Sequence, residues 1–401
     1  MSPTPSPRRS LARRTFLAGA AAGTVTILNP GLVRGSAANE TVRLGLVGCG
    51  GRGNWLGNLF NRHGKYRWTA LADFFPDRLD AVGDRLEVPA DRRFPGLDGY
   101  RRLLEAEVDA VVIQTPPYFH PEQAEDSVAA GKHVFLSKPV AVDVPGCKSI
   151  AASGAKAGEE GLVYLVDFQT RACPLYREAL ARVHRGEIGR LILGESHYPW
   201  AGGGRGAPPA DTADRLRHWY FVKELSGDFV VEQAIHVLDV ATWIADADPI
   251  QAVGTGGRLV RHPESIWDHF AALIDFPEDF RLTFAAIQSI PGVKDEIRCR
   301  VFGADGVMDT DYFGDVWIRG ERPFEGGHTG NLYTTGAETN IAEFHQAILD
   351  GDASNPTVAP SVRSNLTAIL AREAGYARGT ITWEALLADT TVLEPDLRGV
   401  E

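Results

Sequence analysis

The sequence is poor in cysteine. The four it has, Cys49, Cys147, Cys173 and Cys299, lie far apart, with no C-x-x-C pair and no zinc-ligand spacing. That excludes a disulfide framework or a thiolate–metal site as the organising feature. Basic residues are also in deficit, 41 against 52 acidic, for a formal net charge of −11. Without a basic stripe, this balance argues against nucleic acid as a partner. The apolar stretch at 16–28 falls short of the ~20 residues that cross a bilayer. Internal repeats and low-complexity tracts are absent. What is present is an ordinary globular composition, 44% hydrophobic and 23% charged, in 401 residues, enough for two domains.

The first residues read as targeting rather than fold. Arg13-Arg14-Thr15-Phe16-Leu17 is a twin-arginine pattern ahead of the apolar stretch, and Gly35-Ser36-Ala37-Ala38 offers small residues for cleavage. Residues 1–38 are therefore expected to be a twin-arginine export signal, with a disordered basic tail as the alternative. The mature chain is expected to be periplasmic or extracytoplasmic, with no stable membrane span after signal removal.

The chain is organised around Val42-Arg43-Leu44-Gly45-Leu46-Val47-Gly48-Cys49-Gly50-Gly51-Arg52-Gly53. A strand-like apolar run enters a turn with Gly48, Gly50 and Gly53 in G-x-G-x-x-G spacing, followed by a helix expected over 54–62. In a dinucleotide-binding turn the first glycine makes the bend, the second lets backbone approach a pyrophosphate, and the third lets the helix pack on the strand. A plain glycine turn is the bland alternative. Context favours the site: a second strand-like run at 67–72 ends in Asp73, about 20 residues on, where an acid would hold ribose hydroxyls. Cys49 is expected to be a small packing residue.

Strand-like and helix-like segments alternate to about residue 166, which predicts a parallel sheet covered on both faces. Strands are expected at 108–114, 133–136 and 162–166, with helices at 121–130 and 146–157. Loops at the carboxyl edge of such a sheet meet the ligand, bringing Thr115, His120, Ser137 and Lys138 together. The second half differs. Helices are expected at 173–185, 228–245, 338–349 and 361–377, and strands at 191–196, 251–258, 268–276, 281–289 and 295–302. Consecutive strands predict a mostly antiparallel sheet, so the fold class is α/β: an N-terminal Rossmann domain, 39–166, and a C-terminal α+β domain, 167–401.

Two groups could do chemistry. Lys138 ends a buried strand before Pro139. A solvated lysine is the ordinary reading, but beside a nucleotide a desolvated one could polarise a hydroxyl. On one continuous helix, Glu232, His236 and Asp239 would share a face at i, i+4 and i+7. A core histidine and a Glu–His metal pair are alternatives; the favoured reading is a histidine acid/base oriented by the carboxylates.

Gly48-x-Gly50-x-x-Gly53, the Thr115-Pro116-Pro117…His120 turn, Gly131-Lys132-His133-Val134-Phe135-Leu136-Ser137-Lys138-Pro139 and Gly227…His236-x-x-Asp239 together resemble the glucose-fructose oxidoreductase/inositol dehydrogenase/MocA family. Ile188-Gly189-Arg190 and Leu370-Ala371-Arg372-Glu373-Ala374 extend the likeness over nearly the whole mature chain. The resemblance implies a Rossmann domain joined to an α/β domain whose open sheet often mediates oligomerisation, here a homo-oligomer. It also implies oxidation or reduction of a sugar or cyclitol with NAD or NADP. By resemblance Lys138 matches the catalytic lysine of the family's Glu-Lys-Pro motif, and His236 its acid/base histidine. Ser137 stands where that glutamate is usual, and Glu232 where many members carry aspartate.

The catalytic candidates are thus Lys138, His236, Asp239 and Glu232, with no metal. The cofactor candidates are Gly48, Gly50, Gly51, Arg52, Gly53, Asp73, Thr115, Pro116, His120, Ser137 and Lys138. Gln169, Arg171, Trp200, His218, Trp219 and Lys223 are candidates for the substrate. NAD is expected over NADP, because Asp73 would repel a 2′-phosphate, although Arg78 lies nearby. An exported protein would lose a freely exchanging nucleotide, so a tightly held one is expected. Some family members cleave glycosides through transient use of the cofactor, which is the alternative activity. A non-catalytic sugar sensor is a third reading, against which Lys138 and His236 both speak.

Overall fold

Residues 40–400 are described by the computed structural model; the expected export signal lies outside the described residues. The first part alternates strand and helix: β1 Val42–Val47, α1 Gly51–His63, β2 Tyr66–Asp73, α2 Pro76–Arg85, β3 Arg93–Pro95, α3 Gly99–Leu104, β4 Ala110–Ile113, α4 His120–Ala129, β5 His133–Ser137, α5 Val144–Glu159 and β6 Tyr164–Asp167. The six strands form one parallel sheet in the order β3-β2-β1-β4-β5-β6. The order reverses between β1 and β4, which opens a crevice at their carboxyl ends. β4 is Ala-Val-Val-Ile and wholly buried, as a central parallel strand covered on both faces must be. Asp143 caps α5 by accepting a hydrogen bond from Gly146 N at 2.8 Å.

The rest of the chain builds a second sheet. Its elements are α6 Gln169–Ala172, α7 Pro174–His184, β7 Leu191–Trp200, α8 Thr212–Arg217, α9 Lys223–Ser226, α10 Phe229–Glu232, α11 Ile235–Ala245, β8 Gln251–Gly257, β9 His269–Asp275, β10 Arg281–Gln288, β11 Arg298–Gly303, β12 Gly306–Asp311, β13 Asp315–Gly320, β14 Phe324–His328, α12 Leu332–Asp350, α13 Val358–Ala377, β15 Thr380–Thr382 and α14 Trp383–Leu387. Nine strands run β14-β13-β12-β11-β7-β10-β9-β8-β15, antiparallel except where β10 lies parallel to β7. The mostly antiparallel expectation holds. The strands β12 to β15, which alternation in the sequence does not reveal, extend both edges.

One difference bears on the site. The helix expected over 228–245 is broken into α10 and α11 at Gln233 (φ −112°) and Ala234, and Asp228 enters α10 at φ +72°. Glu232 lies before the break, and His236 and Asp239 after it.

Helices α12 and α13 return to the first sheet, and the described residues from Thr41 onward belong to one compact unit. α12 lays Ala337, Ile341 and Phe344 over the Phe60, Trp68 and Phe135 side of that sheet. Each such buried large side chain contributes about 1.5–3 kcal/mol. From α13, Asn365 bonds Val140 N and Ala141 O, and Arg372 bonds Val142 O and Gly227 O. These bonds fix the segment after Lys138 to the entrance of α10.

Candidate active site

The glycine turn has the properties its spacing demands. Gly48 adopts φ +97°, and a Cβ there would stand 2.6 Å from the Gln114 carbonyl carbon. A Cβ on Gly53 would lie 1.9 Å from Gly48 O, so only glycine lets α1 start this close to β1. Gly50 and Gly51 instead face open space: the nearest atom to a Cβ on Gly50 is Arg78 Nη1 at 3.8 Å, and Gly51 has none within 4 Å. Backbone there is free to receive a phosphate at the amino end of α1.

Asp73, at the carboxyl end of β2, accepts from Cys49 N at 2.6 Å and from Phe75 N at 2.8 Å. Burial raises its pKa, against the pull of those amides and Arg78. The Cys49 thiol is itself buried and pushed well up, the state of a packing residue. The crevice here is walled by Gly48, Gly50, Asp73, Phe75, Arg78, Gln114, Thr115, Pro116, Leu216 and Trp219.

Other expected nucleotide residues act on the loops. Thr115 Oγ1 donates to Gln123 Oε1 at 2.6 Å, and Ser137 Oγ to Ile113 O at 3.2 Å. The His120 ring sits between Pro139 O (Nδ1, 2.9 Å) and Thr115 O (Nε2, 2.8 Å), tying the loops after β4 and β5 together. Burial lowers its pKa to about 4, against those two carbonyls.

A second cavity, of about 260 Å³, shares Gln114, Thr115 and Trp219 with the crevice. Arg52, Ser137, Lys138, Gln169, Glu232, Gln233, His236 and Tyr333 complete much of its wall. Lys138 Nζ donates to the Glu232 carbonyl at 2.5 Å and to Glu232 Oε1 at 3.1 Å. Burial lowers the lysine's pKa and Glu232 opposes the shift. His236 is held well below its ordinary value by burial, then by Lys138 and Arg52. Its Nδ1 has no partner among the described residues, and its ring packs on Phe168 and Tyr312. A buried neutral imidazole beside a buried ammonium can take a proton while the cation steadies the oxygen that releases it.

Asp239 is not part of this arrangement. It does not line the cavity, and its fully buried Oδ1 accepts from Arg171 Nε and Nη2 (2.9 and 2.8 Å) and Ser364 Oγ (2.7 Å). Arg171, expected at the substrate, is committed to that pair and to the Trp243 ring. Glu232 faces Lys138, so the histidine is not oriented by carboxylates as the unbroken helix implied. Trp200 packs with Tyr198 and Phe313, apart from both cavities. His218 and Lys223 line a separate cavity, with Lys223 over the Tyr376 ring at 4.0 Å. Of the substrate candidates, Gln169 and Trp219 reach the cavity that Lys138 and His236 line.

Sequence reasoning missed two features. Gln114 closes β4 with both amide atoms buried and unpartnered among the described residues, where the two cavities meet. Asp167, fully buried, holds Arg52, whose pKa Asp167 and Tyr333 raise against the opposing effect of burial. Each is a polar residue ending an apolar parallel strand, and that was the available signal. No group of three or more His, Cys, Asp or Glu side chains placed to hold a metal occurs among the described residues.

Open backbone at Gly50 and Gly51, an acid at the end of β2 and an orphaned amide between the cavities all fit a nicotinamide dinucleotide, and the site defines an oxidoreductase. Residues 42–167 match the oxidoreductase family with an NAD-binding Rossmann fold, and residues 176–309 match the GFO/IDH/MocA C-terminal domain. The chain belongs to the GFO/IDH/MocA family of oxidoreductases. It is 30% identical over 262 residues to scyllo-inositol 2-dehydrogenase (NAD(+)) of Bacillus subtilis, covering 63% of this chain and 70% of that protein. The fold matches levoglucosan dehydrogenase in complex with NADH and levoglucosan, with a TM-score of 0.70 and 18% identity over 85% of this chain and 99% of that one. It also matches scyllo-inositol dehydrogenase from Lactobacillus casei with bound NAD(H) and scyllo-inositol, with a TM-score of 0.67 and 21% identity over 86% and 99%.

Proposed function

We propose that the protein is an exported dehydrogenase that oxidises a hydroxyl of a neutral sugar or cyclitol and holds its NAD between turnovers. The observation that carries the reading is the convergence of Lys138, Glu232 and His236 on a cavity that shares its walls with the nucleotide crevice. Gly50, Gly51, Asp73 and Gln114 would hold the dinucleotide, which supplies the hydride acceptor. The Lys138 ammonium binds the substrate hydroxyl oxygen, and His236, neutral at pH 7, takes the hydroxyl proton as hydride leaves the carbon. NAD is preferred over NADP because the Asp73 carboxylate stands at the ribose end.

Retention of the nucleotide draws support from a roof over the crevice. Leu216 of α8 lines the crevice, and Arg217 grips Asp77 through two 3.1 Å bonds. The end of the chain straps α8: Thr212 Oγ1 donates to Arg398 O at 3.0 Å, and Leu397 and Val400 pack on the cluster of Phe75, Leu216 and Leu225. The outward face of the second sheet carries exposed Leu193, Val253 and Leu273, which suits self-association through that face.

The test is to purify the protein without added nucleotide, denature it and assay the released ligand. A panel of sugars and cyclitols is then screened at the nicotinamide absorbance. NAD in the released fraction and reduction by at least one polyol are expected. No reduction by any sugar or cyclitol overturns the dehydrogenase reading, and empty protein active only with NAD in solution overturns retention.

A further inference from the structure

The catalytic cavity has an aromatic edge that the reaction at Lys138 and His236 does not use. Tyr333, the second residue of α12, lines the cavity yet is 44% exposed, so it stands at the mouth, whereas Lys138 and His236 are each 8% exposed at the inner end. Its ring packs on Trp55 of α1, with centroids 4.4 Å apart and planes 30° from parallel. The Arg52 guanidinium lies 5.4 Å from the Trp55 ring centre and 5.7 Å from that of Tyr333, and donates to Tyr333 Oη at 3.3 Å. Arg52 is anchored in turn by fully buried Asp167 at the end of β6. Three distant segments thus hold one aromatic face still at a cavity entrance, which lowers the entropy cost of binding against it.

Charge and size narrow what that face receives. Arg52 is neutralised by Asp167 and Lys138 by Glu232, so neither cation is free to select an anion. At about 260 Å³ the cavity lies just below the roughly 300–1,000 Å³ of pockets for drug-sized ligands. A cavity of that size has room for one sugar ring at its inner end, and a ring linked to it would extend through the mouth, past Tyr333. The C–H groups on one face of a pyranose, like the flat face of an aryl group, pack on an electron-rich aromatic face.

We infer that Tyr333, backed by Trp55 and Arg52, is a second subsite, and that the preferred substrates are neutral glycosides whose second ring rests on Tyr333. This rests on the dehydrogenase reading for the inner ring. The probes are glucose, cellobiose, maltose and p-nitrophenyl glucosides, compared in binding by calorimetry and in nicotinamide reduction. Wild-type protein, Tyr333→Ala and Tyr333→Phe are tested, with NAD affinity measured alongside. Tyr333→Ala is expected to weaken binding and kcat/KM for the two-ring probes about tenfold, to leave glucose and NAD within about twofold, and to be rescued by Tyr333→Phe. Equal losses for glucose and the two-ring probes, no loss for either, or weakened NAD binding overturns the subsite. If the two-ring probes bind through Tyr333 but no sugar reduces the nicotinamide, the subsite stands and the dehydrogenase reading falls. Nitrophenol release would then mark glycoside cleavage as the activity.

Discussion

Lys138 and Glu232 form a buried ion pair in which one ammonium reaches both the carbonyl and the carboxylate of the same residue, at 2.5 and 3.1 Å. With Ser137 in place of a glutamate before the lysine, the charge that keeps Lys138 protonated comes from across the cavity.

Glu232→Gln should therefore act through Lys138. Burial already lowers the lysine's pKa, and removing the opposing carboxylate lowers it further. We expect kcat/KM to fall by about 10²–10⁴-fold, and the alkaline limb of the pH–rate profile to move to lower pH. A rate loss with an unmoved limb would show that Glu232 acts by some route other than the lysine.

Stability should rise with pH across the mildly acid range. The His120 pKa lies at about 4 in the folded protein against an ordinary 6.5, so between those values the unfolded chain binds more protons and folding is penalised as pH falls. His236, also lowered, acts with the same sign. The His120 term amounts to about 3 kcal/mol between pH 6.5 and 4. Denaturant melts at pH 4.5 and 7 should show a smaller difference for His120→Gln than for wild type; an equal difference places the effect elsewhere.

Gln114→Leu separates stability from cofactor binding. Removing two orphaned polar atoms relieves a cost of about 1–3 kcal/mol, so the nucleotide-free variant should melt above wild type. Losing the amide should weaken NAD about tenfold and shrink the NAD-induced rise in Tm. A variant with unaltered NAD affinity would leave the orphaned amide without a ligand.

Deleting residues 390–401 removes the strap on α8 and, separately, the bond from Leu393 N to the α5 cap Asp143. The expected result is faster nucleotide release, about tenfold or more, with the effect in the off-rate. Tm should fall modestly, because the deleted residues lie outside both sheets. Stopped-flow release from loaded protein measures it, and an unchanged off-rate removes the roof from the account of retention.

Much of this protein could be read directly. Alternation of apolar strands with helices yields the first sheet, and the glycine spacing yields the turn, because both are properties of short segments. Lys138 was legible as a charge ending a buried strand, and His236 as a polar residue beside an apolar stripe. The outer strands β12 to β14 were harder: Gly306–Asp311, Asp315–Gly320 and Phe324–His328 mix glycine and charge, and pairing rather than pattern makes them strands.

The sequence by itself determined which segments meet at the carboxyl edge of the first sheet, and hence where a dinucleotide belongs and at which edge Lys138 stands. Tertiary structure alone decided how the charges pair there. Glu232 pairs with Lys138 and Asp239 with Arg171, while Asp167 claims Arg52 from 115 residues away. Buried charges must be neutralised by whichever partner the packing brings within reach, and helical periodicity carries no information about partners so distant along the chain.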